Sequence, residues 1–451
     1  MDEQEEDAAD VEDEEAPGPD LWVRTFGGEL NDYAMNVEID SSGDILLAGY
    51  FASAFDFLGT PIESAGAHDL VVAKLDRRGD LVWVRTVGGA GMEMEPHLAV
   101  DEAGNVLLAG EFGETFELSG ILLENQGSAD MLLVMLSPGG DVLWAKGFGG
   151  PGQEIAPKVG FDGEGRVILS GAFEGTVDFG GGDRTASDTR DIVVARLSAT
   201  DGSHDWSLVF GGGADDIVQG MAVGPAGEAG LTGWFGNSID FGGDPFTEGG
   251  GFVAVLAGAD GGHVWSRALS NGENDSGCGI AFHPSGDLVV SGWFQGVLDF
   301  GGGPRTSVDH SDAFAARYGA AGEHVWSRAF GGPSVDSSCA VAVMPGGDAL
   351  VGGFFNSEID FGSGPIASAG PCDGWLARLA GADGGHVRSY AVGGASADYV
   401  QDVAVGPYGF AVVAGDFNET ADVIGITVSS AGGSDGFVAW LPAALLAPDG
   451  P

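Results

Sequence analysis

Seven acidic side chains recur at one spacing along this chain: Asp32, Glu93, Glu154, Asp216, Asp275, Asp336 and Asp398. Each stands just before a short apolar run. Carboxylates gathered on one edge would focus a negative potential that attracts Ca2+, amines or basic protein segments. An Asp at a tight turn also accepts bonds from the turn's own amides, and that capping role competes for the same oxygens. Two further acid sets share the period. Asp56, Glu117, Asp178, Asp240, Asp299, Asp360 and Asp422 form one; Asp69, Asp130, Asp191, Asp312, Asp373 and Asp435 form the other, with Gly250 in the remaining place. All three sets are expected on one rim. Ca2+ takes about six to eight oxygens, which clustered Asp and carbonyl groups supply, although no Asp-x-Asp-x-Asp-Gly loop occurs.

Other groups add less chemistry. Tyr50, Glu111, Ala172, Trp234, Trp293, Phe354 and Asp416 share a register, where Trp234 and Trp293 either stack on a sugar ring or apolar ligand or fill space between elements. His204, His263, His324 and His386 share another and read as solvated turn residues on the face opposite the acids. Cys278 and Cys339 occupy equivalent positions; they pair if their Cα atoms come within about 7 Å, and are otherwise small buried residues, as Cys372 is expected to be. No nucleophile elbow, P-loop, His-Glu-x-x-His or Cys-x-x-Cys appears, so no catalytic residue is assigned.

A repeat must position these residues. Trp22, Trp83, Trp144, Trp206, Trp265 and Trp326 stand 61, 61, 62, 59 and 61 residues apart, and Arg388 holds a seventh position 62 further on. A Gly-Gly step follows the Trp in most units, as in Phe26-Gly27-Gly28 and Phe330-Gly331-Gly332. A period this long, repeated seven times, marks an array or a propeller. Each unit holds four apolar runs too short for helices and bounded by Gly, Asp, Asn and Pro, and apolar residues fall on both faces of them. Strands covered on both sides, joined by turns such as Asp101-Glu102-Ala103-Gly104, predict an all-β, seven-bladed β-propeller of four-stranded antiparallel blades. The chain opens on a Trp-bearing fourth strand and stops at a third strand, so the N-terminal strand is expected to complete the last blade and close the ring.

Composition bounds the partners. The 17 Lys and Arg against 68 Asp and Glu give a net charge of −51, which excludes a phosphate-backbone reader and makes anionic membrane surfaces poor partners. No apolar run reaches the roughly 18 residues of a membrane-spanning helix. Residues 1–20 carry eleven acids and no base and read as a disordered tail, leaving residues 21–451 as one propeller domain. The opening residues lack the pattern of a secretory leader, so the chain is expected to be cytoplasmic or to have lost a leader before residue 1.

The run beginning Leu98-Ala99-Val100-Asp101, the Asp-Phe-Gly-Gly hairpins and the Trp-x-Arg-x-Phe-Gly-Gly strands together resemble the bacterial SBBP-type β-propeller repeat proteins over about residues 21–441. The resemblance implies a seven-bladed propeller at the bacterial envelope or outside the cell, often behind a lipoprotein leader, with no assigned chemistry. The expectation for function is a non-enzymatic binding, adhesion or scaffold propeller, monomeric, whose acidic rim meets a protein or glycan ligand or Ca2+. The alternatives are a metal-dependent hydrolase using rim carboxylates and a purely structural module.

Overall fold

Branched and aromatic residues of each unit gather into short strands because glycine and Asp-rich turns interrupt every run before a helix could form. The computed structural model describes residues 20–448 apart from Asn271 and Glu273, and the expected tail over residues 1–20 lies, but for Asp20, outside the described residues. Among the described residues the long strands form five four-stranded antiparallel sheets and one eight-stranded sheet, in which the pairing of Val392–Gly394 with Ala421–Val423 joins two sets of four. The first set runs Asp32–Ile39, Ile45–Phe51, Asp69–Leu75 and Leu81–Val87, paired in that order. The next five repeat it from inner strands Glu93–Val100, Glu154–Phe161, Asp216–Val223, Ser276–Phe282 and Asp336–Val343. The last set joins Tyr399–Val405, Ala411–Val423 and Ile426–Leu441 to Trp22–Phe26 from the other end of the chain, with Trp22 opposite Trp440. The protein is all-β, antiparallel and propeller-like. No helix among the described residues is long and apolar enough to cross a membrane.

Successive residues of one strand serve opposite neighbours. Leu46 and Ala48 pack with Leu98 and Leu108 of the second set, whereas Ile45 and Leu47 pack with Val412 and Val438 of the seventh. Burial from both sides explains why the third strands Asp69–Leu75 and Asp130–Leu136 are buried at every residue and read as continuous apolar runs. The inner strands touch in cyclic succession, with Tyr399–Val405 against Asp32–Ile39, around a central channel that all seven line.

In most units a fourth-strand Trp, often with Arg two residues on, fastens one unit to the next. Trp22, Trp83, Trp144 and Trp326 donate their indole N–H groups to Arg77, Pro138, Ala199 and Gly381 carbonyls at 2.9–3.0 Å. Arg24, Arg85 and Arg328 reach Gly79, Gly140 and Gly384 carbonyls in the same turns at 2.9–3.1 Å. Buried indole needs such an acceptor, and the turn between third and fourth strands supplies it. The seventh set has no such turn, because its fourth strand comes from the N-terminal end. Arg388 stands where the Trp would be, and the Tyr390 hydroxyl instead donates to the Leu445 carbonyl at 2.5 Å.

Candidate functional site

The repeated acids stand at the entries of the inner strands with their carboxylates turned into the protein. Asp32, Glu93, Glu154, Asp216, Asp336 and Asp398 are 0% exposed, and Asp275 is buried too. In four units one oxygen accepts an N–H four residues back and the other an N–H twenty residues ahead. The donors are Gly28 (2.7 Å) and Ala52 (3.1 Å) at Asp32, and Gly212 (2.9 Å) and Gly236 (3.1 Å) at Asp216. Gly332 (2.8 Å) and Asn356 (3.2 Å) serve Asp336, and Gly394 (2.7 Å) and Asn418 (3.0 Å) serve Asp398. Asp275 accepts the Gln295 N–H at 2.9 Å. Glu93 and Glu154 accept the Gly89 and Gly150 N–H groups at 3.0 and 2.9 Å. The carboxylates of the expected acidic contact rim are therefore buried turn caps: six of them tie a glycine step to the strand entry behind it, and Asp275 holds the Gln295 amide.

The third acid set packs against the first. Asp69, Asp130, Asp191, Asp312, Asp373 and Asp435 are buried and each accepts an amide four residues back, as Ser187 N–H donates to Asp191 Oδ2 at 2.8 Å. Asp191 and Asp216 close on Gly211 from two sides: a Cβ there would stand 2.5 Å from Asp191 Oδ1 and 2.6 Å from Asp216 Oδ2. Burial, then the neighbouring carboxylate, pushes the carboxyls up, to about 7 at Glu93, Glu154 and Asp336 and to about 6 at Asp216, Asp398 and Asp435.

The second acid set lies elsewhere. Its members are exposed, and the six Asp among them cap hairpin glycines, as Asp178 Oδ1 accepts Gly180 and Gly182 N–H groups at 2.7 and 2.8 Å. These hairpins fold back onto the histidine register, with Gly181, Gly243 and Gly302 against the imidazoles of His204, His263 and His324. One rim for all three sets, opposite the histidines, is thus corrected for the second. Nor do the histidines hang in solvent as turn residues: His204, His263 and His386 meet Ser207, Ser266 and Ser389 hydroxyls at 3.0–3.1 Å.

For a metal ion the donors do not fit. Among the described residues no three His, Cys, Asp or Glu side chains gather in a way that could hold one, and the buried acids already serve amides, so no step is derived through Ca2+. Cys278 and Cys339 form a disulfide with Cα atoms 4.7 Å apart, and Cys372 is buried and unpaired.

A register that the sequence reading passed over carries more chemistry. Each inner strand has a bulge, and the residues that follow the bulges are Asn36, His97, Lys158, Gly220, Gly279, Ala340 and Asp402. Four polar side chains from contiguous units face three small ones. Comparing the seven units at this position, rather than looking for what they share, would have revealed it. Asn36, His97, Lys158 and Asp402 line a channel cavity of about 340 Å³. Their wiring passes from unit to unit: Val37 N–H donates to Asp402 Oδ2 at 2.9 Å, Leu98 N–H to Asn36 Oδ1 at 2.6 Å, and Val159 N–H to His97 Nδ1 at 3.4 Å. Burial and the Lys158 charge hold His97 down at about 3, so its ring is neutral with the proton on Nε2. Burial and Asp402 push Glu38 up to about 8.

Where the inner strands begin, the mouth register divides the same way. Tyr50, Glu111 and Asp416 lie on the polar side; Glu111, raised to about 7 by burial, accepts the Ala156 N–H at 2.8 Å. Trp234, Trp293 and Phe354 form an aromatic arc on three successive units. Trp293 and Phe354 line a largely apolar cavity of about 420 Å³ with Val335, and its Gln219 and Cys339 also line the channel. Trp234 lines a hollow of about 300 Å³ that shares Asn274 with it. The two tryptophans singled out in the sequence thus belong to one sector of the mouth.

No family model matches the chain, and no curated protein does. Among solved structures it is similar to BamB from Moraxella catarrhalis, at 11% identity and a TM-score of 0.40, covering 94% of this chain and 99% of that one. The Neurospora crassa Pan2 WD40 domain matches at 9% identity and a TM-score of 0.43, covering 91% and 89%. Quinohemoprotein alcohol dehydrogenase from Comamonas testosteroni matches at 11% and 0.39, covering 94% and 77%. These are likenesses of architecture alone.

Proposed function

We propose that the chain is a non-enzymatic binding propeller, a closed ring of seven blades sealed by the N-terminal strand, that takes its ligand at the channel mouth. The observation that carries this reading is the aromatic cavity of about 420 Å³ walled by Trp293 and Phe354. A concave, mostly apolar hollow with a few polar groups at its edge is the usual form of a ligand site. Flat aromatic faces beside Gln219 and His310 suit a sugar ring, whose C–H face stacks while its hydroxyls find donors and acceptors. The ligand proposed is therefore a glycan. The resemblance to SBBP-type repeats supports a setting at the bacterial envelope, and the Cys278–Cys339 disulfide suits an oxidising compartment.

Glycan-array binding followed by titration calorimetry tests the reading. Trp293→Ala is expected to weaken a captured glycan by about 1–3 kcal/mol with the fold intact. Binding that is lost to Trp83→Phe but unchanged by Trp293→Ala and Phe354→Ala would remove the cavity from the account.

A further inference from the structure

Lys158 is one of only three lysines in the chain. The other two are engaged: Lys74 Nζ lies 2.7 Å from Asp40 Oδ2 and 3.2 Å from Asp44 Oδ2, and Lys146 Nζ donates to the Gly202 carbonyl at 2.7 Å. Lys158 occupies the register in which Asp402, Asn36 and His97 each accept an N–H from the following unit, and an ammonium there has no acceptor with which to continue that chain. No carboxylate among the described residues comes within ion-pair distance of it. Its side chain instead lines the channel cavity of about 340 Å³, together with Glu95, His97 and Asp402.

We propose that Lys158 is a nucleophilic amine that captures small aldehydes or ketones entering the channel, as a reversible imine. The neutral amine adds to the carbonyl carbon, forming a C–N bond as the C=O π pair moves to oxygen; the oxygen takes up a proton and the nitrogen gives one up, leaving a neutral carbinolamine. The carbinolamine then loses its hydroxyl as water, the nitrogen lone pair making the C=N bond. Lysine ammonium plus carbonyl compound gives protonated imine plus water, so the step needs no oxidant or reductant. Two features of the surroundings suit it. Burial lowers the Lys158 pKa, against the opposing pull of Glu95, Glu111 and Asp402, which enlarges the fraction of neutral amine. Glu111 sits on the second strand of the preceding unit with a carboxyl that titrates near 7, so at neutral pH it both gives and takes protons, as dehydration of a carbinolamine requires. The groups facing the lysine are Glu95 and His97 from Glu93–Val100, Glu111 from Val106–Phe112 and Asp402 from Tyr399–Val405; Arg190 acts on Glu111, and Asp402 on Glu38.

The test is reductive trapping of the full chain with millimolar glycolaldehyde and cyanoborohydride at pH 7, with peptide mapping of all three lysines. Lys158 is expected to be modified at least about tenfold faster than Lys146 and Lys74, and Glu111→Gln is expected to slow its trapping about tenfold without lowering the unfolding midpoint. Trapping of Lys158 no faster than Lys146 would overturn the proposal. So would equal rates in Glu111→Gln and parent together with a pH profile that follows an ordinary lysine. The readout does not depend on Trp293 or Phe354, so failure of the glycan reading leaves it standing, and the reverse.

Discussion

Six of the seven junctions between units are built alike, and the junction between the fourth and fifth is not. At the six, an Asp from the third acid set reaches under the first glycine of the Gly-Gly step, as Asp191 does under Gly211 and Asp312 under Gly331. At the odd one, Gly250 replaces the Asp and Ser270 replaces the glycine. A side chain at residue 250 would meet the Ser270 Cβ and hydroxyl, and that hydroxyl donates to the Gly249 carbonyl. The same space is filled from the opposite side. Asp and glycine are therefore one structural unit, exchanged together, and the acidic repeat is explained by packing and turn capping before any ligand is invoked.

The largest expected effect follows from the paired carboxyls, which the odd junction lacks. Glu93, Glu154 and Asp336 titrate near 7 and Asp216, Asp312, Asp398 and Asp435 near 6, all above an unfolded value near 4. The folded state thus holds more protons than the unfolded one between about pH 4 and 7. Stability falls as pH rises through that window, the contribution being fully present below the unfolded value. Unfolding free energies from denaturant titrations at pH 5 and pH 8 should differ by on the order of several kcal/mol in favour of pH 5. Asp130→Asn should flatten the slope, because the Asp130 charge adds to the burial that raises the Glu154 carboxyl. A midpoint that rises from pH 5 to pH 8 would contradict the pairing.

Next in size is a direct swap of the two junction types. Gly211→Ala places a methyl against Asp191 and Asp216 and should cost about 1–3 kcal/mol by overpacking. Gly211→Ser combined with Asp191→Gly copies the Ser270/Gly250 arrangement and should recover part of that loss. A double variant no better than the sum of its single changes would show that Asp and glycine are independent.

Legibility in the sequence divides along the same line. The Trp22-to-Trp326 spacing, the four apolar runs and the Asp-Gly turns were legible because seven copies repeat the same local physics, and repetition raises weak signals together. The capping role of Asp32 and its equivalents was legible only as one of two uses of a carboxylate, since spacing does not say which way an oxygen faces. Lys158, His97, Asn36 and Asp402 were not legible, because a search for what units share passes over the register where they differ. Trp234 and Trp293 lay in view, and their equivalent positions in successive units already assigned them to one sector, but whether they fill space or wall a cavity was not legible from spacing. Gly250 was seen as a gap in a pattern, and its meaning required Ser270, twenty residues away, to be placed against it.

A smaller effect compares caps within the regular junctions. Asp336→Ala removes the acceptor of two buried amides, Gly332 and Asn356, and should cost about 1–3 kcal/mol. Glu93→Ala removes the acceptor of one, Gly89, and also a carboxyl whose Oε1 has no donor. It should therefore cost less than Asp336→Ala at pH 8, where the buried Glu93 charge is itself unfavourable. Equal losses would mean that amide capping is not what these carboxylates contribute.

The smallest expected effect is the most direct check on the meaning of the acids. A ligand that binds only the folded protein must raise its stability in proportion to occupancy. At the six regular junctions the carboxylate oxygens of the first set face turn amides and a neighbouring acid, so millimolar Ca2+ would have to displace hydrogen bonds such as Gly28 to Asp32 at 2.7 Å and Gly394 to Asp398 at 2.7 Å. The unfolding midpoint after exhaustive chelation should then move by no more than about 1 °C when Ca2+ is restored at constant ionic strength. A clear rise that survives in Asp336→Asn but vanishes when Asp178, Asp299 and Asp360 are replaced would move the cation to the exposed hairpins beside the histidines. A rise abolished by Asp336→Asn would return it to the buried ring and overturn the capping account.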